Sequence, residues 1–600
     1  MNAIRRYLFA PFLISILVIV ACEKPPHLKE EIRNGDYSLS FSVEGLDASE
    51  AVEPIVKPKH QSTGIKHIKG SSSDQCLGKK TIIASKTTAF KGLEARVIME
   101  ELPLEHSTEK SDKLRIQTKS AISRPIEKRA VSNMSPQKKY RVVVFNTNAA
   151  GEATTYVNQS QGVVGSPLKI PVYRNKNYRW FAYSYNREED IPDINSPDYH
   201  ILVIANLHDK ENDFLYSTGL IKTSDIVDGE NPISITFSRQ LAKIRLEINA
   251  RGIFAKITSA NIDVLASNTG PQDGLFSLLN GSYSSTNSTN MLRFRTWNTI
   301  VSDSIPVDWA VYRDFYTIAN STVLRLKLKI NEIKVTSERI NDNAPDTKSL
   351  IPRTFQNVDF TFPDFIAKPG HRYQAVLELL ESPIQRGDVY WARGNLYYDD
   401  SVERNKYRFR YDNPHIRKVN NGISNIADSD YWYGGSMPHL RPDGQSDPCK
   451  FVYPEGLWRL PTPDEYNALI SSTNPMVEKQ DQLNREGWYI RWKDAAHIGP
   501  PTHPHKDLVF TALGYKNANG EILHYVYKAG NPNMGWLNHL FSSSDIGYFR
   551  TNVANTYFMM EYRTGGYDLS PKFTVGSTNV LYQPIAAPIR CVRKVAPNIS

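Results

Sequence analysis

Tyr37-Ser-Leu-Ser-Phe-Ser-Val43 places a large apolar residue at every second position, with serine between. Successive side chains of a β-strand point to opposite faces, so this run makes a strand with one buried and one wet face. Outward from it, similar short runs recur at Arg141 to Asn146, Leu168 to Tyr173, Tyr178 to Tyr183, Ile201 to Ala205, Ile233 to Phe237, Lys243 to Ile248, Val323 to Ile330 and Tyr373 to Leu379. Turn-forming residues separate them, as at Asn146 to Gly151 and Arg174 to Asn177. Helical periodicity is scarce before about Ser382. Strands without helices bury their apolar faces on one another, so sandwiches of antiparallel strands are the expected architecture, and the chain reads as mainly β.

Upstream of that strand, Arg5 and Arg6 precede an almost wholly apolar run from Leu8 to Val20. The run is too short for a membrane span and reads as a signal-peptide core. It closes on Ile19-Val20-Ala21-Cys22, which resembles a lipobox. Residues 1–21 are therefore expected to be removed and Cys22 lipidated. Two or three acyl chains tether a chain to a membrane stably. The expected location is the outer membrane, facing outward.

At 600 residues, with 40% hydrophobic and 22% charged, the chain is expected to fold as two to four domains. Tyrosines number 32 against 23 phenylalanines, which suits half-exposed strands and recognition surfaces. The net charge is +9, but Lys and Arg are dispersed along the chain, which argues against a nucleic-acid partner and for an acidic envelope surface or glycan. The segment from Glu105 to Lys139 is polar and basic, and reads as an exposed loop. Beyond Cys22 only Cys76, Cys449 and Cys591 occur, too few for a disulfide scaffold, though an exported chain permits one bond. No catalytic constellation stands out: Ser542 to Ser544 lack a glycine elbow. His497, His503 and His505 lie around the proline-rich Gly499-Pro-Pro-Thr-His-Pro-His505, which reads as a solvated loop. The reading is of a protein that is not an enzyme, with no metal and no cofactor.

The order of segments carries a resemblance. A first strand after a short lipoprotein tether, then Tyr140-Arg-Val-Val-Val-Phe145, Tyr178-Arg-Trp-Phe-Ala-Tyr-Ser-Tyr-Asn186 and Ile235-Thr-Phe-Ser-Arg-Gln-Leu-Ala-Lys-Ile-Arg-Leu246, resembles the fimbrillin family of Bacteroidota pilus lipoproteins, from about Asp36 to Glu381. The resemblance implies two transthyretin-like β-sandwiches, at 22–230 and 231–382. The second would open with a strand near Asn231 and close with the strand after Pro369-Gly-His-Arg-Tyr373. It also implies a fimbrium in which subunits join by donor-strand insertion, after a protease cuts beyond the first strand, usually at arginine. Here no arginine occurs between Arg33 and Arg96, leaving Arg124 or Arg129, a lysine, or no cut.

Beyond about Pro383 the regular spacing of strands is lost, and residues 383–600 read as a separate domain. In Pro454-Glu-Gly-Leu-Trp-Arg-Leu-Pro-Thr-Pro-Asp-Glu-Tyr466, Thr462 is placed to cap a helix, Pro463 suits its first position and Glu465 completes a capping box. The helix should run to about Ser471 and bury Tyr466, Leu469 and Ile470. With Trp391-Ala-Arg-Gly-Asn-Leu-Tyr-Tyr398, Phe510-Thr-Ala-Leu-Gly-Tyr-Lys-Asn-Ala-Asn-Gly520, Phe541-Ser-Ser-Ser544 and Ile589-Arg-Cys-Val-Arg593, this segment resembles an α+β module similar to C-type lectin and formylglycine-enzyme-like folds. Closure of such a module implies a Cys449–Cys591 disulfide, with Cys76 left over. It also makes Asn531, Asn533, Trp536 and Tyr548 a candidate ligand-binding set, since aromatic faces stack on sugar rings and amides bond hydroxyls.

Together the two resemblances imply a cell-surface adhesin, at the distal tip of a pilus because Pro597 and the disulfide spoil the last strand as a donor. Its partners would be other pilus subunits and a glycan or protein ligand. The alternative is a surface glycan-binding lipoprotein of a polysaccharide-uptake system, with the sandwiches as spacers.

Overall fold

The computed structural model describes residues 37–47, 81–90, 93–102, 131–194, 199–203, 213–224, 230–288, 291–300, 305–319, 323–341, 344–399, 402–410, 419–420, 423–424, 430–433, 446–472, 476–479, 488–492, 507–517, 519–523, 525–528, 542–564, 572–577 and 586–593. Cys22, Cys76, the three histidines at 497, 503 and 505, most of the basic loop, Asn531, Asn533 and Trp536 lie outside these residues. Among the described residues no helix is long and apolar enough to cross a membrane.

The alternating run forms β1 (Ser38–Asp47). A hairpin follows, β2 (Thr81–Phe90) and β3 (Leu93–Leu102), then β4 (Val131–Ser132), β5 (Lys139–Thr147), β6 (Ala153–Val163), β7 (Leu168–Pro171), β8 (Asn177–Ser184), β9 (His200–Val203), β10 (Leu215–Lys222), β11 (Glu230–Arg239) and β12 (Leu241–Gly252). One eight-stranded sheet runs β4-β1-β11-β10-β8-β5-β6, with β7 also paired to β1. Its strands enclose a core of their own: Leu39 and Phe41 from β1, Val142 and Val144 from β5, Trp180 from β8 and Ile235 and Phe237 from β11. On the opposite face of β5 and β8, Val143, Phe145, Phe181 and Tyr183 pack against Phe276, Leu278 and the β9 segment.

The strand expected to open a second sandwich near Asn231 instead completes the first sheet, as β11, paired to β1 and β10. The change of sheet comes after Arg239, where β12 begins. The second sheet runs Asn298–Thr299, Ala310–Ile318, β12, Arg372–Glu381, β3, β2. Arg372–Glu381 is the last strand of this sheet in chain order and lies in its interior, flanked by β12 in parallel and by β3 antiparallel. This sheet faces a four-stranded one built on Ala255–Val264, Lys327–Asn341 and Ala344–Thr361, across a core of Ile244, Leu246, Ile262, Leu328, Ile330 and Leu377.

C-terminal to these lies a region of short strands with α1 (Pro463–Ser472), the one α-helix among the described residues. The capping box forms: Glu465 N–H donates to Thr462 Oγ1 at 3.2 Å and Thr462 N–H to Glu465 Oε2 at 2.8 Å. Tyr466 and Leu469 are buried and Ile470 is partly so. Cys449 and Cys591 are joined with Cα atoms 5.9 Å apart.

Candidate functional site: an inserted strand and a fastened C-terminal region

β1 lies inside the first sheet, although the next described strand, β2, belongs to the second. On one side it runs parallel to β11, from Ser38 opposite Glu230 to Leu46 opposite Phe237; on the other it is antiparallel to β7 and β4. Leu39 and Phe41 are wholly buried, Tyr37 and Leu46 nearly so. Phe41 meets Trp180 edge-on at 5.8 Å. Burying these four side chains contributes roughly 6–12 kcal/mol, taking about 1.5–3 kcal/mol each. β1 is therefore held in its place chiefly by the side chains it brings at alternate positions. Gly45 marks its tightest point, because a Cβ there would stand 2.2 Å from the Ser132 carbonyl oxygen.

The last described strand is fastened. Val592–Arg593 pairs with Val389–Trp391 and with Trp458–Arg459. Arg590, wholly buried, donates to the carbonyls of Ala392 at 3.1 Å, Arg393 at 2.6 Å and Val509 at 2.8 Å, and lies over the Phe510 ring. Burial pushes its guanidinium down to about 9. Asp447 holds the turn before the disulfide, accepting from Cys449 N–H and Leu460 N–H.

Of the four residues expected to bind ligand, Tyr548 alone is described. It stands half-buried on Ser542–Arg550, its ring 4.8 Å from Tyr515 and 6.2 Å from Tyr557. Packing accounts for those contacts.

Sequence reasoning missed how the C-terminal region is attached. Arg593 donates to Glu94 of β3 at 2.6 Å and to the Glu381 carbonyl at 2.8 Å, with its plane over Trp458. Glu378 is bound by Arg96 at 2.7 Å and by the Tyr453 hydroxyl. Arg251 stacks on Tyr453 at 3.9 Å and reaches Asn405. Phe254 meets Phe409 edge-on, and Arg408 covers Trp309. Burial and the Glu378 carboxylate both push the Tyr453 phenol far up, so it donates at all ordinary pH. The sequence signal was available: Glu378 interrupts and Glu381 ends the apolar run that starts at Ala375, and buried acids require partners.

No curated protein matches the chain. Among solved structures, a candidate cell adhesion protein from Bacteroides ovatus shares 16% identity over 40% of this chain and 81% of its own, with a TM-score of 0.26. The fimbrial anchor protein Mfa2 from Porphyromonas gingivalis shares 12% over 39% of this chain and 93% of its own, with a TM-score of 0.22. Residues 129–383 match the model of the fimbrillin-like family.

Proposed function

We propose that this protein is a fimbrial adhesion subunit of the cell surface, carried there by lipid on Cys22, that it accepts a strand from a neighbouring subunit in the place of β1, and that it presents residues 383–600 at the distal tip of the fibre. The observation that carries this reading is β1 itself, parallel to β11 and enclosed by β7 and β4. The fimbrillin-like match over residues 129–383 supports the same assignment. The tip position rests on the fastening of Val592–Arg593, because a strand held by a disulfide, by two neighbours and by Arg590 is not offered to another subunit. In place of a donor strand the C-terminal region offers a surface for a glycan or protein ligand.

Chain connectivity constrains how β1 could be released. β2 and β3 belong to the second sheet, so a cut between Asp47 and Thr81 would free β1 alone, whereas one at Arg124 or Arg129 would sever the hairpin as well. The stretch between those residues carries six lysines and no arginine. N-terminal sequencing of the fibre-associated form is the test. The expected start lies between Ala48 and Thr81, after a lysine; a start at acylated Cys22 would show that β1 stays and would overturn the strand-accepting reading.

A further inference from the structure

We propose that Tyr156 and Tyr199 form a saccharide-binding platform on the first sheet, taking the apolar face of a pyranose ring of a neutral glycan. β6 is the outermost strand of that sheet. Its pairing with β5 slips between Val144 and Phe145, so Asn158 faces Val144 while Tyr156 faces Phe145. The slip turns Val157 to the core enclosed by the sheet and keeps Tyr156 on the Phe145 side. Tyr156 is 40% exposed.

Phe145, buried beneath, sets the geometry. Tyr156 meets it at 81° with centroids 6.0 Å apart, and Tyr199 meets it at 84° and 4.7 Å. The planes of Tyr156 and Tyr199 themselves differ by only 16°. Their centroids lie 6.3 Å apart, farther than two rings in direct face-to-face contact. Tyr199 achieves this with φ of 48°, a left-handed conformation that a bulky side chain rarely adopts and that marks functional positions when it persists.

The surroundings select the ligand. Three residues along β6 from Tyr156, the Gln159 amide is fixed on Ile194, donating to its carbonyl at 3.1 Å and accepting from its N–H at 3.0 Å. Arg141 holds one oxygen of Asp193 at 2.5 Å, and Asp193 is otherwise 62% exposed. Thr154, Thr155, Asn158 and Ser160 leave β6 itself without charge, Asn158 and Ser160 on the face opposite Tyr156. A stable protein partner would bury about 800 Å² on this side, and two tyrosine rings in polar surroundings do not offer that. They do match the footprint of one or two sugar rings, with the Asp193 carboxylate beside them for hydroxyls. The site is independent of where the chain sits in a fibre and of the ligand of residues 383–600.

The test is native electrophoresis of the full-length protein through gels cast with soluble β-glucan, xylan, mannan or galactan. At least one polysaccharide is expected to retard the protein. Tyr156→Ala should weaken that association at least ten-fold. Tyr199→Gly, which relieves the left-handed backbone while removing the ring, should abolish retardation with no loss in Tm. Tyr312→Ala, on the second sheet, should leave it unchanged. Absence of retardation by all four, retardation that survives both platform substitutions, or a fall of several degrees in Tm for Tyr199→Gly would overturn the assignment, the last by making the ring a packing element.

Discussion

Replacing Arg593 by methionine tests whether the C-terminal region is held to the second sheet by buried charge. Arg593 and Glu94 are each almost completely shielded, with side chains 3% and 2% exposed, and lie 2.6 Å apart. Arg96, the nearest other cation on β3, is engaged with Glu378. Arg593→Met therefore strands the Glu94 carboxylate in a site that water does not reach, and breaking such a pair from one side costs about 3–5 kcal/mol. Removing both charges together restores most of it, because an apolar pair of similar volume is about as stable as a buried ion pair. The assay is calorimetric unfolding of the parent, Arg593→Met, Glu94→Leu and the double variant, since a chain of several cores need not melt in one step. Each single variant should lower the transition of the C-terminal region and separate it from that of the second sheet, and the double variant should return most of the way. A single variant within about 1 kcal/mol of the parent, or a double variant as unstable as the sum of the two, would refute the coupling.

Three further outcomes follow from the same geometry. Phe41→Ala should destabilise the first sheet by about 3–5 kcal/mol, the usual cost of emptying a buried aromatic site, measured by urea unfolding; a change below 1 kcal/mol would mean that β1 adds little to that core. Thr462→Ala should cost about 1 kcal/mol through loss of the α1 cap, read as a lower melting temperature of the C-terminal region with its end-state spectra unchanged. Glu465 titrates below its ordinary value of 4.5: burial opposes this, but the Arg459 guanidinium and the Thr462 N–H outweigh it. A lowered native pKa contributes stability above the ordinary value and loses it as pH falls through the native one. The difference in Tm between the parent and Glu465→Gln should accordingly be full at pH 7 and shrink below about pH 4.5; a pH-independent difference would deny the ionic contribution.

Local patterns were legible in the sequence and strand partners were not. The alternation from Tyr37 to Val43 reads as β1 because a one-sided strand has no other periodicity, and Thr462 with Glu465 reads as a cap because the two groups satisfy each other's backbone N–H. β3 escaped notice. Leu93-Glu-Ala-Arg-Val-Ile-Met-Glu-Glu-Leu102 is rich in helix formers, and it is a strand because it fills the slot beside Arg372–Glu381, a tertiary contact that overrides propensity. The change of sheet was placed at Asn231 instead of after Arg239 for a related reason: a strand's pattern shows that it has a buried face, not which sheet covers it. The Cys449–Cys591 pairing entered through the resemblance of the C-terminal segment, whereas nothing local announces the left-handed backbone of Tyr199 or the engagement of Glu94 by a residue 499 positions away. The candidate ligand set was legible only as residue types. Asn531, Asn533 and Trp536 lie outside the described residues, and Tyr548 is engaged by Tyr515 and Tyr557.

Immunogold labelling of fibres on intact cells, with antibody raised against residues 383–600, tests the central claim most directly. Gold is predicted as single clusters at the ends of fibres farthest from the cell. Label distributed along the shaft, confined to the base, or spread over the membrane without fibres would contradict it.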